Sequence, residues 1–242
     1  MIRCVPYGGI SNRLKCIISS IAEFGDINLN WVIPPSVSNG GVRCDFNDLF
    51  TNYFPDEDCR IVKHCEFIHK EMNTNNTGGK EMLNKELQKK YINVIESLMP
   101  VDYVSQKIKE EKSKLPSDII TVSVRTFKSF GHEYNSWGKY FKIDELFKHL
   151  DSINDPILLT CDDTETANLI KERYSDKIYT TPKRTKFGDF SSVEGMQDIL
   201  IDLYLGGMSN NIYGTHMSSF SEMQWWFGSC KPKYINMVLH KK

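Results

Sequence analysis

The chain has 242 residues, of which 40% are hydrophobic and 12% aromatic, enough apolar material for one large domain or two small ones. Its formal net charge of −1 excludes a bulk electrostatic attraction to nucleic acid or to an anionic membrane. No stretch approaches the roughly 20 apolar residues that a membrane span requires, and the first residues lack the apolar run of a signal peptide.

The chain opens with a predicted strand, Met1–Pro6, followed by apolar residues at helical spacing over Asn12–Phe24. The segment Tyr7-Gly8-Gly9-Ile10-Ser11 lies between them. A strand, a glycine turn and a helix start can bring backbone N–H groups up to a ligand. The segment matches neither G-x-G-x-x-G nor a P-loop, so neither of those cofactors is indicated. A tight turn with Ser11 as helix cap is the alternative interpretation.

The rest of the first lobe, which we place at residues 1–115, carries weaker patterns. The predicted elements are a strand at Ile27–Ile33, a short turn or helix at Cys44–Phe50, a strand at Arg60–Lys63, a helix at Glu81–Lys90, a strand at Tyr91–Ile95 and a helix at Val101–Leu115.

Cysteine and histidine usage favours reduced thiols rather than a disulfide framework or a metal site. The seven cysteines are an odd number and contain no C-x-x-C spacing. His64 and His69 flank Cys65, but three residues without a second cluster are too few for a metal site, and we expect none. These features predict a cytoplasmic protein.

The second lobe, residues 116–242, alternates predicted strands with helices. The strands are Asp118–Arg125, Pro156–Cys161, Lys177–Thr180, Asn211–Tyr213 and Tyr234–Val238, and the helices are Ile143–Ile153, Asp163–Tyr174, Val193–Leu205 and Ser218–Phe227. Such alternation requires right-handed crossovers and predicts a parallel, doubly wound sheet.

Three strands of this lobe are followed by residues that could bind a ligand. Because the carboxyl ends of parallel strands meet at one edge of a sheet, we expect these residues to lie close together. Arg125 ends a β-branched run and is placed to meet an anion. Asp162 directly follows a strand, where its carboxylate can accept hydrogen bonds from the N–H groups of a purine edge or from ribose hydroxyls. Gly214 leads into Ser218–Ser221, a helix start that offers hydroxyls, N–H groups and a favourable dipole to a phosphate. Helix capping by Asp162 or Ser218, and an Arg125 that merely leaves the sheet for solvent, are the alternatives.

Short motifs in order along the chain resemble the fucosyltransferase superfamily, which includes α1,6-fucosyltransferases, nodulation-factor fucosyltransferases and protein O-fucosyltransferases. The matching segments are Gly8-Gly9-Ile10-Ser11-Asn12-Arg13-Leu14, Ser123-Val124-Arg125, Thr160-Cys161-Asp162-Asp163, Asp202-Leu203-Tyr204-Leu205, Gly214-Thr215 and Ser218-Ser219-Phe220-Ser221. The resemblance implies an α/β, GT-B-like fold of two facing Rossmann-like lobes, with the acceptor side in the first lobe and the nucleotide sugar in the second. It further implies an inverting, metal-independent transfer of fucose from GDP-fucose to a glycan or glycoconjugate hydroxyl, with no other cofactor.

Carried over by position, the resemblance assigns a role to each matching residue. Arg125 would contact the diphosphate, and Asp162 the guanine or ribose. The remaining donor-binding candidates are Gly9, Asn12 and Arg13 from the first lobe, Ser123, and Ser218, Ser219 and Phe220 at the phosphate and base side.

Two departures from the family pattern affect the donor site. Ser123 stands where the family has His, and Thr126 and Phe127 stand where many members have Arg and then Asp. A transferase of another GDP-deoxyhexose, or a noncatalytic nucleotide- or carbohydrate-binding module of the same fold, therefore stays open. A methyltransferase is disfavoured, because the second lobe lacks a glycine-rich loop beside its acidic strand end.

An inverting transfer needs a base for the acceptor hydroxyl on the side opposite the leaving diphosphate. In α1,6-type relatives a Glu shortly after the arginine strand is placed for this. Glu133 is the matching candidate, with His132 second. An exposed loop carboxylate without a catalytic role is the alternative.

Overall fold

The computed structural model describes residues 2–33, 42–54, 60–61, 85–128 and 135–241. In the first lobe a small parallel sheet has the strand order β2–β1–β3, formed by Ile2–Cys4 (β1), Ile27–Leu29 (β2) and Arg60–Ile61 (β3). Helix α1, Ile10–Phe24, follows β1 and ends at Gly25, whose φ of 76° is one that glycine adopts without a steric penalty. A 3-10 turn, Phe46–Asp48, lies within the segment predicted as a short turn or helix.

The large sheet of the second lobe is parallel throughout, as predicted. Its strand order is β6–β5–β4–β7–β8, formed by Ile120–Val124 (β4), Ile157–Cys161 (β5), Ile178–Tyr179 (β6), Asn211–Thr215 (β7) and Lys233–Met237 (β8). The order turns back at β4, which is the position where open α/β sheets form a crevice at the carboxyl ends of their strands.

Four helices cover the two faces of this sheet: Ile143–Asp151 (α4), Thr164–Arg173 (α5), Val193–Gly207 (α6) and Ser219–Phe227 (α7). Two earlier helices, Lys85–Ser97 (α2) and Asp102–Lys112 (α3), pack on α7 and α6 respectively, and a 3-10 turn spans Gly138–Tyr140. Apolar residues of α4 and α5 pack on one face of the sheet, and those of α6 and α7 pack on the other. None of the described helices has the length and hydropathy that crossing a bilayer requires. The fold class predicted for the second lobe, a doubly wound parallel sheet, is confirmed.

One predicted strand was wrong, whereas the helix predicted before it is confirmed over its described residues, 85–90. The strand predicted at Tyr91–Ile95 is part of a continuous helix, α2. Tyr91, Val94 and Ile95 are its buried residues, and their i, i+3, i+4 spacing fits one helical face. A five-residue apolar run does not by itself distinguish a buried strand from a helix. Residues 81–84 of the predicted helix and residues 62–63 of the predicted strand lie outside the described residues.

One apolar core joins α1 and α2 of the first lobe to α6 and α7 of the second. The Tyr91 ring meets Trp226 edge-on at a centroid distance of 5.6 Å. Lys15 on α1 forms a buried ion pair with Glu222 on α7. The small and large sheets lie on either side of the boundary predicted at residues 115 and 116, but packed helices and this ion pair connect them.

Candidate functional site

A crevice opens at the carboxyl edge of the large sheet, where β5, β4 and β7 end side by side. Counting the space open to solvent, it encloses about 350 Å³. The residues that line it are Ser123, Val124, Arg125, Thr160, Cys161, Asp162, Gly188, Phe190, Ile199, Asp202, Ser218 and Phe220. Arg125, Asp162 and Ser218, which are far apart in the sequence, therefore share one crevice.

The Arg125 guanidinium is held by a carboxylate and two aromatic rings. Its NH1 lies 3.2 Å from Asp162 Oδ2. The guanidinium carbon lies 5.3 Å from the centre of the Phe127 ring and 5.5 Å from that of Phe190. Both distances are within the range of a cation–π attraction. Since 18% of the Arg125 side chain stays exposed, the group is fixed in direction and still reachable from the crevice.

The Asp162 carboxylate organises the chain that follows β4. Oδ1 accepts from Thr126 N at 2.7 Å and from Thr126 Oγ1 at 2.9 Å, and Oδ2 accepts from Phe127 N at 3.1 Å. With the Arg125 contact, four donors converge on this carboxylate. A contact from Asp162 to guanine or ribose would require at least one of them to be given up.

Phe127 stands where many family members have Asp, and its backbone is strained. Its φ of 59° lies in the left-handed region, which costs a non-glycine residue about 1–2 kcal/mol. The hydrogen bond from Phe127 N to Asp162 and the burial of the ring, which is 8% exposed, oppose this cost. The ring thereby occupies the space beside Arg125.

Hydroxyl groups fix the end of β4 to β7 and α7. Thr215 Oγ1 accepts from Arg125 N at 2.9 Å and donates to Ser123 O at 2.8 Å. Ser221 Oγ donates to Ser123 Oγ at 3.0 Å. Ser123 therefore connects the arginine strand directly to the helix whose start faces the crevice.

The residues at the start of α7 cap the helix and line the crevice. Ser218 is the N-cap, and its hydroxyl accepts from Ser221 N at 3.4 Å. Ser218 and Phe220 both line the crevice, whereas Ser219 is not among the residues that line it. The first N–H groups of the helix and its dipole favour an anion at this position.

A second carboxylate in the crevice belongs to Asp202 on α6, a residue that lies in one of the matching segments but was given no role from the sequence. Its Oδ1 accepts from Lys183 Nζ at 2.6 Å and from Thr181 Oγ1 at 2.5 Å. Burial raises the pKa of Asp202, against the opposing effect of the Lys183 charge. An aspartate between Ile201 and Leu203 in an apolar helix was a usable signal, since a buried charge needs a partner.

The loop before α6 was also missed, although it forms one wall of the crevice through Gly188 and Phe190. Gly188 has φ 66°, and a Cβ there would lie 2.4 Å from Asp162 O, so only glycine permits this approach. Asp189 anchors the loop by accepting from Ser191 N, Ser191 Oγ and Ser192 Oγ at 2.9, 2.5 and 2.6 Å. Although burial opposes it, these bonds lower the pKa of Asp189 to about 2.

The donor-binding candidates of the first lobe lie outside the crevice around Arg125. Arg13 is only 1% exposed, and it donates through Nε to Gly8 O at 2.9 Å and through NH2 to Val32 O at 2.8 Å. A Cβ at Gly8 would lie 3.3 Å from Asn12 Nδ2, so the Asn12 side chain turns back onto the glycine turn. Gly9, Asn12 and Arg13 do not line the crevice around Arg125.

The two candidate bases, His132 and Glu133, lie outside the described residues, as do His64, Cys65 and His69. Within the described ranges, no three His, Cys, Asp or Glu side chains are grouped as metal ligands would be.

Comparisons of sequence alone gave no match. No protein-family model matches the chain, and no curated protein matches it.

Comparison of structures gave matches over almost the whole chain. The fucosyltransferase NodZ from Bradyrhizobium is 12% identical with a TM-score of 0.56, and the match covers 92% of this chain and 91% of that one. A NodZ α-1,6-fucosyltransferase structure soaked with GDP-fucose is 11% identical with a TM-score of 0.58, covering 93% and 91%. An Arabidopsis thaliana FUT1 variant in complex with GDP is 12% identical with a TM-score of 0.52, covering 100% of this chain and 70% of that one. The chain therefore has the α/β, GT-B-like fold of the fucosyltransferases.

Proposed function

We propose that this protein is an inverting, metal-independent glycosyltransferase that transfers fucose from GDP-fucose to a hydroxyl of a glycan acceptor. The observation that supports this most is the meeting of Arg125, Asp162 and the α7 start in one crevice at the switch point of the sheet. The same fold occurs in a fucosyltransferase whose structure was obtained after soaking with GDP-fucose.

In this proposal the crevice stabilises the departing GDP. When the glycosidic bond breaks, negative charge grows on the β-phosphate. Arg125 and the N–H groups at the start of α7 supply fixed positive charge to that position. Asp162 acts through Arg125, because its carboxylate fixes the direction of the guanidinium.

The nucleoside end would lie against Phe190 and Phe220, which line the same crevice. Aromatic faces suit a purine. Asp202 supplies a carboxylate there, and both of its hydrogen bonds within the described part of the chain go to Oδ1. Oδ2 is therefore the acceptor that we assign to N–H groups of the base.

We propose Glu133 as the base that takes the proton of the acceptor hydroxyl, with His132 as the second candidate. Glu133→Gln should lower kcat by about 10²–10⁴-fold while leaving the affinity for GDP unchanged. Equal losses in Glu133→Gln and His132→Gln would contradict a single base.

The first experiment is a thermal-shift comparison of GDP, UDP, ADP and CMP, followed by transfer and donor-hydrolysis assays with GDP-fucose. A ligand at 100 times its Kd should add about 2.7 kcal/mol to the free energy of unfolding. GDP-selective stabilisation with sugar release supports the proposal, and equal rates with and without EDTA support metal independence. Stabilisation by none of the four nucleotides would refute it.

A noncatalytic binding module of the same fold is the second candidate. It is favoured by Thr126 and Phe127, which replace the charged residues of many family members, and by the ion pair that Asp162 forms with Arg125. GDP-selective stabilisation without turnover of GDP-fucose or of other GDP-deoxyhexoses would support this candidate.

A further inference from the structure

A wide groove lies on the first lobe, on the face of the small sheet that points away from α1. Cys4 Sγ lies 3.2 Å from Cys16 Sγ on α1, and side chains alternate along a strand, so the neighbouring Arg3 points to the other face. Arg3, Asn30, Trp31, Tyr53 and Phe54 are among the residues that line the groove. Its volume is about 1450 Å³, counting the space open to solvent, against about 350 Å³ for the crevice.

The guanidinium group of Arg3 supplies a positive charge to the lining of this groove. Within the part of the chain that the structure describes, its buried Nε has no hydrogen-bond acceptor, and no ion pair links Arg3 to a carboxylate. Asp45, an exposed residue that also lines the groove, is not paired with it. A buried guanidinium donor without an acceptor is costly, and a carboxylate or phosphate oxygen is its best partner.

The aromatic residues of the groove suit a sugar ring. Tyr53 is 85% exposed, which is unusual for a ring in a concave surface. Trp31 is oriented from three sides: its Nε1 donates to Cys44 O at 2.7 Å, Phe46 packs edge-on at 5.6 Å, and the Arg13 guanidinium lies 4.4 Å from the ring. Rings held in place beside amide groups such as Asn30 bind pyranose faces and hydroxyls together.

The groove wall also contacts the helix that lines the crevice. Gln197 Nε2 on α6 donates to Asp48 O at 2.7 Å, beside the groove residues Phe46 and Asn47. Asp202, further along the same helix, lines the crevice. Gln197 and Asp202 are five residues apart, which corresponds to about 7.5 Å along the helix axis. One helix therefore lines the crevice and is hydrogen-bonded to the segment that carries the groove residues Phe46 and Asn47.

We infer that this groove binds the acceptor carbohydrate through a sugar that carries one acidic group, a carboxylate or a phosphate. Arg3 pairs with the acidic group, and Tyr53 and Trp31 pack on the ring. Among the described residues that line the groove, Arg3 is the only cation and Asp45 is an anion, which suits one acidic sugar rather than a polyanion. The acceptor role rests on the proposed function, whereas the binding of an acidic sugar can be measured without it.

Saturation-transfer NMR and calorimetry with cellobiose and with its glucuronate-containing counterpart test the inference. One charge-assisted pair predicts that the acidic disaccharide binds roughly tenfold or more tightly than the neutral one. Arg3→Gln should remove this preference, and Tyr53→Ala should weaken both ligands. Arg43→Gln, which removes an exposed arginine outside the groove on the same lobe, is the matched control and should change neither. Glucose 6-phosphate against glucose shows whether phosphate serves as well as carboxylate.

Equal affinity for the acidic and neutral disaccharides, or the same result for Arg3→Gln and Arg43→Gln, would overturn the inference. If Arg3→Gln does not fold, the wild-type comparison of acidic and neutral disaccharides decides the acidic preference. Tyr53→Ala then decides whether the groove is the place of binding, because this exposed side chain can be removed with little effect on the core. A GDP-induced thermal shift on the same wild-type sample separates the two ideas. GDP binding without acidic-sugar binding refutes the groove and leaves the proposed function, and the reverse result refutes the proposed function alone.

Discussion

The Asp162 carboxylate lies 3.2 Å from the Arg125 guanidinium, at the ends of the adjacent parallel strands β5 and β4. In the proposed enzyme this pair must direct the guanidinium to the diphosphate. Arg125→Ala should therefore reduce transfer below detection and weaken GDP binding by roughly 10–150-fold, the loss expected for a charge-assisted contact. Arg125→Lys should recover part of the affinity, because an ammonium keeps the charge and loses the fork geometry. Arg173→Ala is the control, since Arg173 also pairs with a carboxylate, Asp151, but does not line the crevice. Near wild-type activity in Arg125→Ala would contradict the assignment.

Asp162→Asn should weaken GDP binding roughly tenfold without removing any group that we place on the nucleotide. The amide cannot accept from all four donors, and its NH2 would face the N–H groups of Thr126 or Phe127. The Arg125 guanidinium would then lose its fixed direction. Isothermal titration with GDP measures the effect, and Asp163→Asn, where asparagine can still cap α5, is the comparison. An unchanged GDP affinity in Asp162→Asn would show that Arg125 does not need this partner.

Gly188→Ala tests the close approach of the loop to the crevice wall. The new Cβ would lie 2.4 Å from Asp162 O, so either the loop or β5 must move. Gly25→Ala is the matched control, because Gly25 has a similar φ of 76° and nothing within 4 Å of a Cβ. Because the ψ of Gly25 is −118°, outside the left-handed helical region, we expect about 1–3 kcal/mol of destabilisation in Gly25→Ala from backbone strain alone. Gly188→Ala should lose more, and should weaken GDP binding as well. Equal unfolding free energies for the two variants in urea would refute the steric account.

The buried Lys15–Glu222 pair should be costly to break from one side. Lys15→Met leaves the Glu222 carboxylate buried without its cation, and about 3–5 kcal/mol of stability should be lost at pH 7. The double variant Lys15→Met/Glu222→Leu should regain most of it, since an apolar pair replaces two desolvated charges. Lys107→Met breaks an exposed pair and should leave the melting temperature unchanged within error. A double variant no more stable than Lys15→Met would contradict the prediction.

Asp189 should make stability depend on pH at the acid end. Its pKa in the folded protein is about 2, against about 3.9 for an aspartate in an unfolded chain. A depressed folded-state pKa stabilises the protein above the unfolded value, and this contribution disappears as the pH falls from about 4 to 2. Asp189 should thus contribute about 2 kcal/mol at pH 7. The difference in unfolding free energy between wild type and Asp189→Asn should shrink as the pH falls from about 4 to 2. A difference that stays constant would contradict the contribution of Asp189.

Most elements of the second lobe, and the position of Arg125 at the end of its strand, could be predicted from the sequence. The alternation of β-branched runs with spacers of helix length predicts the parallel sheet. Because parallel strands align their carboxyl ends, the charge that ends such a run predicts where Arg125 lies. The Lys183–Asp202 pair could not be predicted, since the two residues meet only when the segment after β6 folds back onto α6. The surroundings of Gly188 depend likewise on a loop path that no local pattern encodes.

The burial of Arg13 follows from its position on α1. Ile10, Arg13, Leu14 and Ile17 follow the i, i+3, i+4, i+7 spacing of one helix face, and all four are buried. That spacing predicts that Arg13 faces the interior, where it donates to Gly8 O and Val32 O. The role in donor binding that the family resemblance implies for Arg13 stays a prediction.

The left-handed backbone of Phe127 limits which residues natural variation can place there. Orthologues that keep this loop path should carry glycine, asparagine, aspartate or an aromatic residue at the position, whereas valine or isoleucine would force the chain after β4 onto another route. Aspartate fits this backbone, yet installing an Arg-Asp dipeptide at 126 and 127 would not by itself recreate a second phosphate contact. The inserted arginine would replace the Thr126 hydroxyl that donates to Asp162.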